Sequence, residues 1–222
     1  SIPFSLNKVA QEAINAIESK KNEFNSIYRK GQGYKQNEYD DEKLRAFTSY
    51  LYHNSHRKLK EHQIKAAKHL YLIQNGANFS VPGSGKTSVV LSVYEKLRQE
   101  GKVNKLLVVG PPSCFGPWKN EFASTLGREA NLQIFAGGDS RLRKVSYFTE
   151  KIKYCDLILT SFQTLLQDYS DVSNFLKISD LKIFLVIDEA HYIKRINGNW
   201  ANVVLGLARH AAFRCILTGT PM

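Results

Sequence analysis

No stretch of this 222-residue chain approaches the roughly 18 consecutive apolar residues that a membrane-spanning helix needs. The opening "SIPFSLNKVAQEAINAIESKK" also lacks the apolar core of a secretory signal. Cysteine is scarce: Cys114, Cys155 and Cys215 are odd in number and scattered, without C-x-x-C spacing. That pattern argues against a disulfide framework or a zinc site and fits buried thiols in a reducing compartment. An intracellular protein without a membrane partner is therefore expected, nuclear if its source is eukaryotic. No internal repeat or low-complexity tract stands out. Acidic residues are in deficit, with 20 Asp and Glu against 31 Lys and Arg, for a net charge of +11. Most of the surplus, +8, lies in residues 63–222, and +3 in residues 1–62. Such charge attracts polyanions, nucleic acid foremost, although lysine excess also serves solubility alone. Hydrophobic residues make up 43% of the chain, which suits one domain of about 150–200 residues with an appendage.

The chain changes character near residue 60. Residues 6–28 predict a helix, because Leu6, Val9, Ala13, Ile17, Phe24 and Ile27 recur near a 3.6-residue period, with Lys20 interrupting the stripe. A polar, glycine-bearing linker is expected over 29–43, and an apolar helical pattern resumes over 44–53. These readings place a small helical appendage at residues 1–55 and the main domain at 56–222. From Gln63 onward short β-rich runs alternate with helices: "ANFSV" (77–81), "KLLVVG" (105–110), "LQIFA" (132–136), "DLILTS" (156–161), "IFLVID" (183–188) and "RCILTG" (214–219). Several are continuous apolar runs, as strands covered on both faces are. The fold class expected is α/β, a three-layer domain around a mainly parallel sheet. In such sheets ligands bind beyond the carboxyl ends of the strands. Three conspicuous segments fall there: "SVPGSGKTS", "DEAH" and "TGTP".

"SVPGSGKTS" (80–88) departs from the phosphate-loop pattern G-x-x-x-x-G-K-[ST] at one position, where Ser80 replaces the leading glycine. Its strand–turn–helix setting still lets backbone N–H groups and a helix N-terminus converge on phosphate oxygens. Gly83 and Gly85 allow positive φ and close approach around Ser84. Lys86 is expected on the β- and γ-phosphates and the Thr87 hydroxyl on Mg²⁺. In "FLVIDEAH", an aspartate at the tip of an apolar strand is costly without compensation, so Asp188 is expected to share the Mg²⁺ with Thr87. Glu189 is the candidate that orients or deprotonates the attacking water. Thr218, Gly219 and Thr220 read either as a turn that senses the γ-phosphate or links the two acidic residues to a second surface, or as a plain Ser/Thr turn. His191 either couples to that turn or caps a helix. The arrangement requires that the strands ending at Val81 and at Asp188 lie side by side.

Together these segments resemble the first RecA-like motor lobe of superfamily-two helicases, and among them most closely the Swi/Snf-type translocating ATPases. The likeness extends over about residues 57–222. "LKEHQIKAAKHL" (59–70) resembles the family's L-x-x-[YH]-Q segment, which implies that Gln63 reads adenine. "LLVVGPPSCFGPWKNEF" (106–122) resembles V-x-P-x-S-x-x-x-x-W-x-x-E-F, matched by Ser113, Trp118 and Glu121. "LILTSFQTL" (157–165) is similar to a strand-contacting block with Thr160 and Ser161 in phosphate-facing positions. Trp118 and Phe115 read as base-stacking platforms or as core. The basic stretches 56–60, 141–153 and 194–195 read as solvated helix faces, with phosphate contact the alternative. The resemblance implies ATP and Mg²⁺ as cofactors, duplex DNA as partner, and a second lobe of the same protein that supplies an arginine finger. It further implies that this chain alone binds ATP–Mg weakly and hydrolyses it barely, if at all. Rival readings are an RNA helicase or restriction-type translocase lobe, a phosphate-loop kinase for a small molecule, and a non-catalytic DNA-binding module switched by ATP.

Overall fold

The computed structural model describes residues 7–36, 41–135, 154–177, 180–194 and 198–219. Helix α1 (Lys8–Lys35) starts where the Asn7 side chain accepts the Ala10 N–H at 2.8 Å. It runs through residues 29–35, where a linker was expected, with Gly31 and Gly33 inside it. Gly31 is buried because α1 meets helix α3 (Glu61–Ile73) there; a Cβ at Gly31 would stand 2.8 Å from the Ile73 side chain. Tyr34 stacks on His69 of α3 beside that contact. The apolar stripe nearer the start of α1 is largely solvated, with Val9, Ile17 and Phe24 at 74%, 67% and 61% exposure.

Helix α2 (Glu42–Ser49) is capped by Asp41, whose carboxylate accepts the Leu44 N–H, and passes into a π turn, Tyr50–Asn54. Phe47, Tyr50 and Leu51 belong to the same buried cluster as α3 and the sheet, with the Phe47 ring stacked 4.2 Å from Tyr71. "HRKLK" (56–60) is the irregular connector into α3 rather than a helix face. Within it Arg57 pairs with Glu121 and Lys58 donates to the Tyr52 carbonyl. The basic stretch 141–153 lies outside the described residues.

Six strands form one parallel sheet: β1 (Asn75–Asn78), β2 (Lys105–Val109), β3 (Leu132–Phe135), β4 (Leu157–Thr160), β5 (Ile183–Ile187) and β6 (Phe213–Leu217). Their order is β1-β6-β5-β2-β4-β3. The expected adjacency of the strands that lead to the glycine-rich loop and to Asp188 is therefore wrong. β6 lies between them, pairing Ala77 of β1 with Ile216 and Val186 of β5 with Cys215. β1 also stops at Asn78 rather than Val81, because the Asn78 carboxamide accepts both the backbone N–H and the hydroxyl of Ser80. That local turn competes with the ladder and ends it.

Strand alternation sends side chains to two separate cores. Leu106, Val108, Leu157, Leu159, Phe184 and Val186 pack with α2, α3, α4 (Lys86–Gln99) and α5 (Phe115–Leu126). Leu107, Val109, Ile158, Leu185 and Ile187 pack with α6 (Phe162–Gln167), α7 (Tyr169–Leu176) and α8 (Asn199–Ala208). Helices cover both faces, which is why β2, β4 and β5 read as unbroken apolar runs. Among the described residues no helix is long and apolar enough to cross a membrane.

Candidate functional site at the carboxyl edge

Since every strand points the same way, the loops that follow β1, β2, β5 and β6 emerge on one edge. The loop after β1 turns where the Ser84 N–H donates to the Val81 carbonyl at 3.2 Å. Gly83 and Gly85 have φ of +78° and +80°, a region costly to any residue with a Cβ. Gly85 caps α4, so the helix begins at Lys86 with Thr87 half-buried in its first turn. The Lys86 ammonium donates to the carbonyls of Ser80 at 2.9 Å and Val81 at 3.3 Å. It thus lies over the loop, among groups that a phosphate oxygen can replace. Gln63 reaches the same loop from α3. Its Nε2 donates to the Ser84 carbonyl at 2.9 Å while its Oε1 accepts the Lys60 N–H at 2.9 Å. Each end of the carboxamide keeps one further hydrogen-bonding position. The Ser84 hydroxyl is buried with no partner among the described residues.

β5 delivers the acidic turn. Its ladder extends one step, the Asp188 N–H donating to the Val109 carbonyl at 2.8 Å. Asp188 Oδ1 then accepts the Glu189 N–H at 2.9 Å. Glu189 sits at φ +51°, a left-handed conformation that costs a non-glycine residue about 1–2 kcal/mol. His191 Nδ1 lies 3.2 Å from Glu189 Oε2 and 3.4 Å from the Thr218 hydroxyl. The His191 ring thus contacts the turn after β6. On the far side of that turn, a Cβ at Gly219 would fall 2.7 Å from the Pro82 ring, so the turn abuts the glycine-rich loop. Thr220 lies outside the described residues. The chain of contacts thus runs from Pro82 to Gly219 and from Thr218 to His191 and Glu189.

The segment after β2 decides between the two readings of Trp118. Trp118 is 1% exposed and its Nε1 donates to Asp188 Oδ2 at 2.8 Å. It is core, and cannot serve as an open stacking platform. Phe115 is half-buried against the same core. Ser113 is exposed in the 3₁₀ turn ahead of α5. Thr160 and Ser161, expected to face phosphates, have buried side chains, and the Ser161 hydroxyl caps α6 by accepting the Thr164 N–H. Glu121, from the W-x-x-E-F block, accepts hydrogen bonds from Ser88 of α4 and from Arg57. Cys155 and Cys215 are buried and Cys114 half-buried, all three unbridged.

The glycine-rich turn with open space beside Gly83, the helix N-terminus behind it and the lysine above it suit a phosphate chain. Asp188 and Thr87 offer oxygen donors of the kind Mg²⁺ takes.

Comparison with known proteins agrees with this architecture. The SNF2-related domain matches residues 47–222, and so takes in part of α2 as well as the sheet. The mouse "DNA excision repair protein ERCC-6-like" is 28% identical over 82% of this chain, which spans 15% of that relative. The fission yeast "ATP-dependent helicase fft1" is 28% identical over 84% of this chain, which spans 21% of it. The SWI2/SNF2 ATPase core domain of Sulfolobus solfataricus superposes with a TM-score of 0.60 at 26% identity, covering 77% of this chain and 33% of that one. The complex of that archaeal core with double-stranded DNA gives the same TM-score at 24% identity, over 76% of this chain and 33% of that one. On the family match over most of its length, this chain belongs to the SNF2-related domain family.

Proposed function

We propose that this chain is the ATP-binding lobe of a DEAH-containing motor, and that the complete protein couples ATP hydrolysis to movement along duplex DNA. The observation that carries the proposal is the convergence of three loops on one edge, where Pro82 abuts Gly219 and Thr218 faces His191. Backbone N–H groups over 83–87 hold the phosphates of ATP, and Lys86 exchanges its carbonyl partners for the β- and γ-phosphate oxygens. The Gln63 carboxamide uses its spare donor and acceptor to select adenine, whose N6 and N7 present the complementary pair. Mg²⁺, when held by Thr87 and Asp188, neutralises charge on the terminal phosphates. Glu189 orients a water and takes its proton as the water oxygen bonds to the γ-phosphorus and the bond to the bridging oxygen breaks. The turn at 218–220 relays this change to a second lobe, which supplies the missing transition-state cation. The names of the relatives, one a DNA excision repair protein and one an ATP-dependent helicase, support the DNA-directed reading. So does the +11 charge. With Trp118 in the core, the DNA-facing residue retained from sequence is the exposed Ser113.

Two variants test the proposal. Lys86→Ala removes a charge-assisted bond worth about 1.5–3 kcal/mol, so nucleotide affinity of this chain should fall roughly 10- to 100-fold in a calorimetric titration. Glu189→Gln in the complete protein should keep nucleotide binding and lose DNA-stimulated turnover. Turnover that survives would remove Glu189 from its assigned role. Stimulation by RNA but not by duplex DNA would overturn the choice of partner.

A further inference from the structure

One helix beside the proposed site has no role in the reaction just described. α5 carries Trp118, and a buried indole must find an acceptor for its N–H. A core that needed only volume could use phenylalanine. Here the N–H is directed at the carboxylate at the end of β5, with Nε1 2.8 Å from Asp188 Oδ2. The other carboxylate oxygen accepts the Glu189 N–H. With a further hydrogen bond to Cys114, the carboxylate has a protein donor on each oxygen and retains capacity on its remaining lone pairs. Cys114, at the entrance to α5, faces the same carboxylate; burial, and then the Asp188 charge, push its thiol up to about 12. Three residues beyond Trp118, on the same helix face, Glu121 accepts the Ser88 hydroxyl. Ser88 directly follows Thr87 on α4.

We infer that Trp118 is a positioning residue for the proposed reaction: its indole N–H orients the Asp188 carboxylate, while Glu121 of the same helix anchors α4 beside Thr87. α5 thereby sets the spacing between the two groups that share the cation. The inference rests on the proposed nucleotide site. It differs from a packing role in a measurable way, because packing depends on the volume of the ring and positioning depends on the N–H. Outer partners that orient a metal-binding side chain typically contribute 10- to 100-fold in metal affinity.

The test uses this chain in two altered forms. Trp118→Phe removes the N–H and some volume, and 3-benzothienyl-alanine at position 118 keeps the ring shape while replacing N–H by sulfur. ADP binding is measured at increasing Mg²⁺ and again in EDTA, with thermal unfolding as the control for folding. Both forms should need roughly 10- to 100-fold more Mg²⁺ for the half-maximal gain in ADP affinity, and their affinity in EDTA should match the unaltered chain. An analogue that titrates like the unaltered chain overturns the inference, even if Trp118→Phe is impaired, since the loss would then follow volume. An unaltered chain that binds no nucleotide would instead overturn the proposed function, and this inference with it.

Discussion

Gly83 and Gly85 share nearly the same positive φ, yet their surroundings differ enough to make a paired experiment. An alanine at either position pays the left-handed penalty, about 1–2 kcal/mol. At Gly83 nothing lies within 4 Å of the added Cβ, so the cost should end there. At Gly85 the Cβ would run into the Gln63 amide nitrogen. That amide bridges the Ser84 carbonyl and the Lys60 N–H, and each bond is worth about 0.5–1.5 kcal/mol. Displacing it should bring the total for Gly85→Ala to about 2–5 kcal/mol. The two variants should thus differ by about 1–3 kcal/mol in urea unfolding, or roughly 2–4 °C in Tm per kcal/mol for a chain of this size. Removing the obstacle supplies the control: Gln63→Ala combined with Gly85→Ala should lose less than the sum of the two single changes. Equal losses at the two glycines, or strict additivity with Gln63→Ala, would refute the reasoning and detach Gln63 from the loop.

Two further outcomes concern stability. Phe47→Ala should destabilise the chain by about 3–5 kcal/mol, since Phe47 is fully buried and stacked on Tyr71, whereas Phe24→Ala on the solvated part of α1 should change it by less than about 0.5 kcal/mol. A single cooperative urea transition that shifts for Phe47→Ala and not for Phe24→Ala is expected; an unmoved main transition would separate α2 from the lobe. Glu95 gives a pH dependence: burial alone would raise its carboxyl, but the hydrogen bond from Arg98 and the charges of Arg98 and Arg128 bring it below its ordinary value. A carboxyl depressed in the folded state adds stability above its unfolded pKa, and that stability is lost as pH falls through the folded value. Glu95→Gln should therefore be less stable than the parent at pH 7, with the gap closing below about pH 4.3 in urea titrations. A gap that stays constant down to acid pH would show that ionisation of Glu95 contributes nothing.

The parts of this fold that could be read from sequence are those whose cause is local. A glycine–lysine–threonine junction between strand and helix needs only neighbouring residues to be recognised, and the doubly covered strands announce themselves by unbroken apolar runs. What escaped reading depends on partners far along the chain. Gly31 and Gly33 looked like a break in α1 because the Ile73 side chain that needs the space at Gly31 is 42 positions away. Trp118 stays open between stacking surface and core in the sequence because its acceptor, Asp188, is 70 positions away. Strand order is hidden for the same reason. In a parallel sheet each crossover is long enough to skip places, and the two places between β1 and β2 are filled by β5 and β6 near the end of the sequence.

That filling has a consequence for how the site can work. Had β1 and β5 been neighbours, the glycine-rich loop and the acidic turn could have met without an intermediary. With β6 between them, the turn that follows it occupies the sheet position that borders both. Gly219 touches Pro82 on one side and Thr218 faces His191 on the other. Both contacts are close: a Cβ added at Gly219 would fall 2.7 Å from the proline ring, and Thr218 is 4% exposed. A displacement of the loop by a bound phosphate chain would therefore press on the turn, and a displacement of the acidic turn would press on it from the opposite side. Small shifts at packed contacts of this kind are transmitted because close-packed interiors resist compression. The turn after β6 is thus placed by topology, before any specific hydrogen bond is considered, between the glycine-rich loop and the acidic turn.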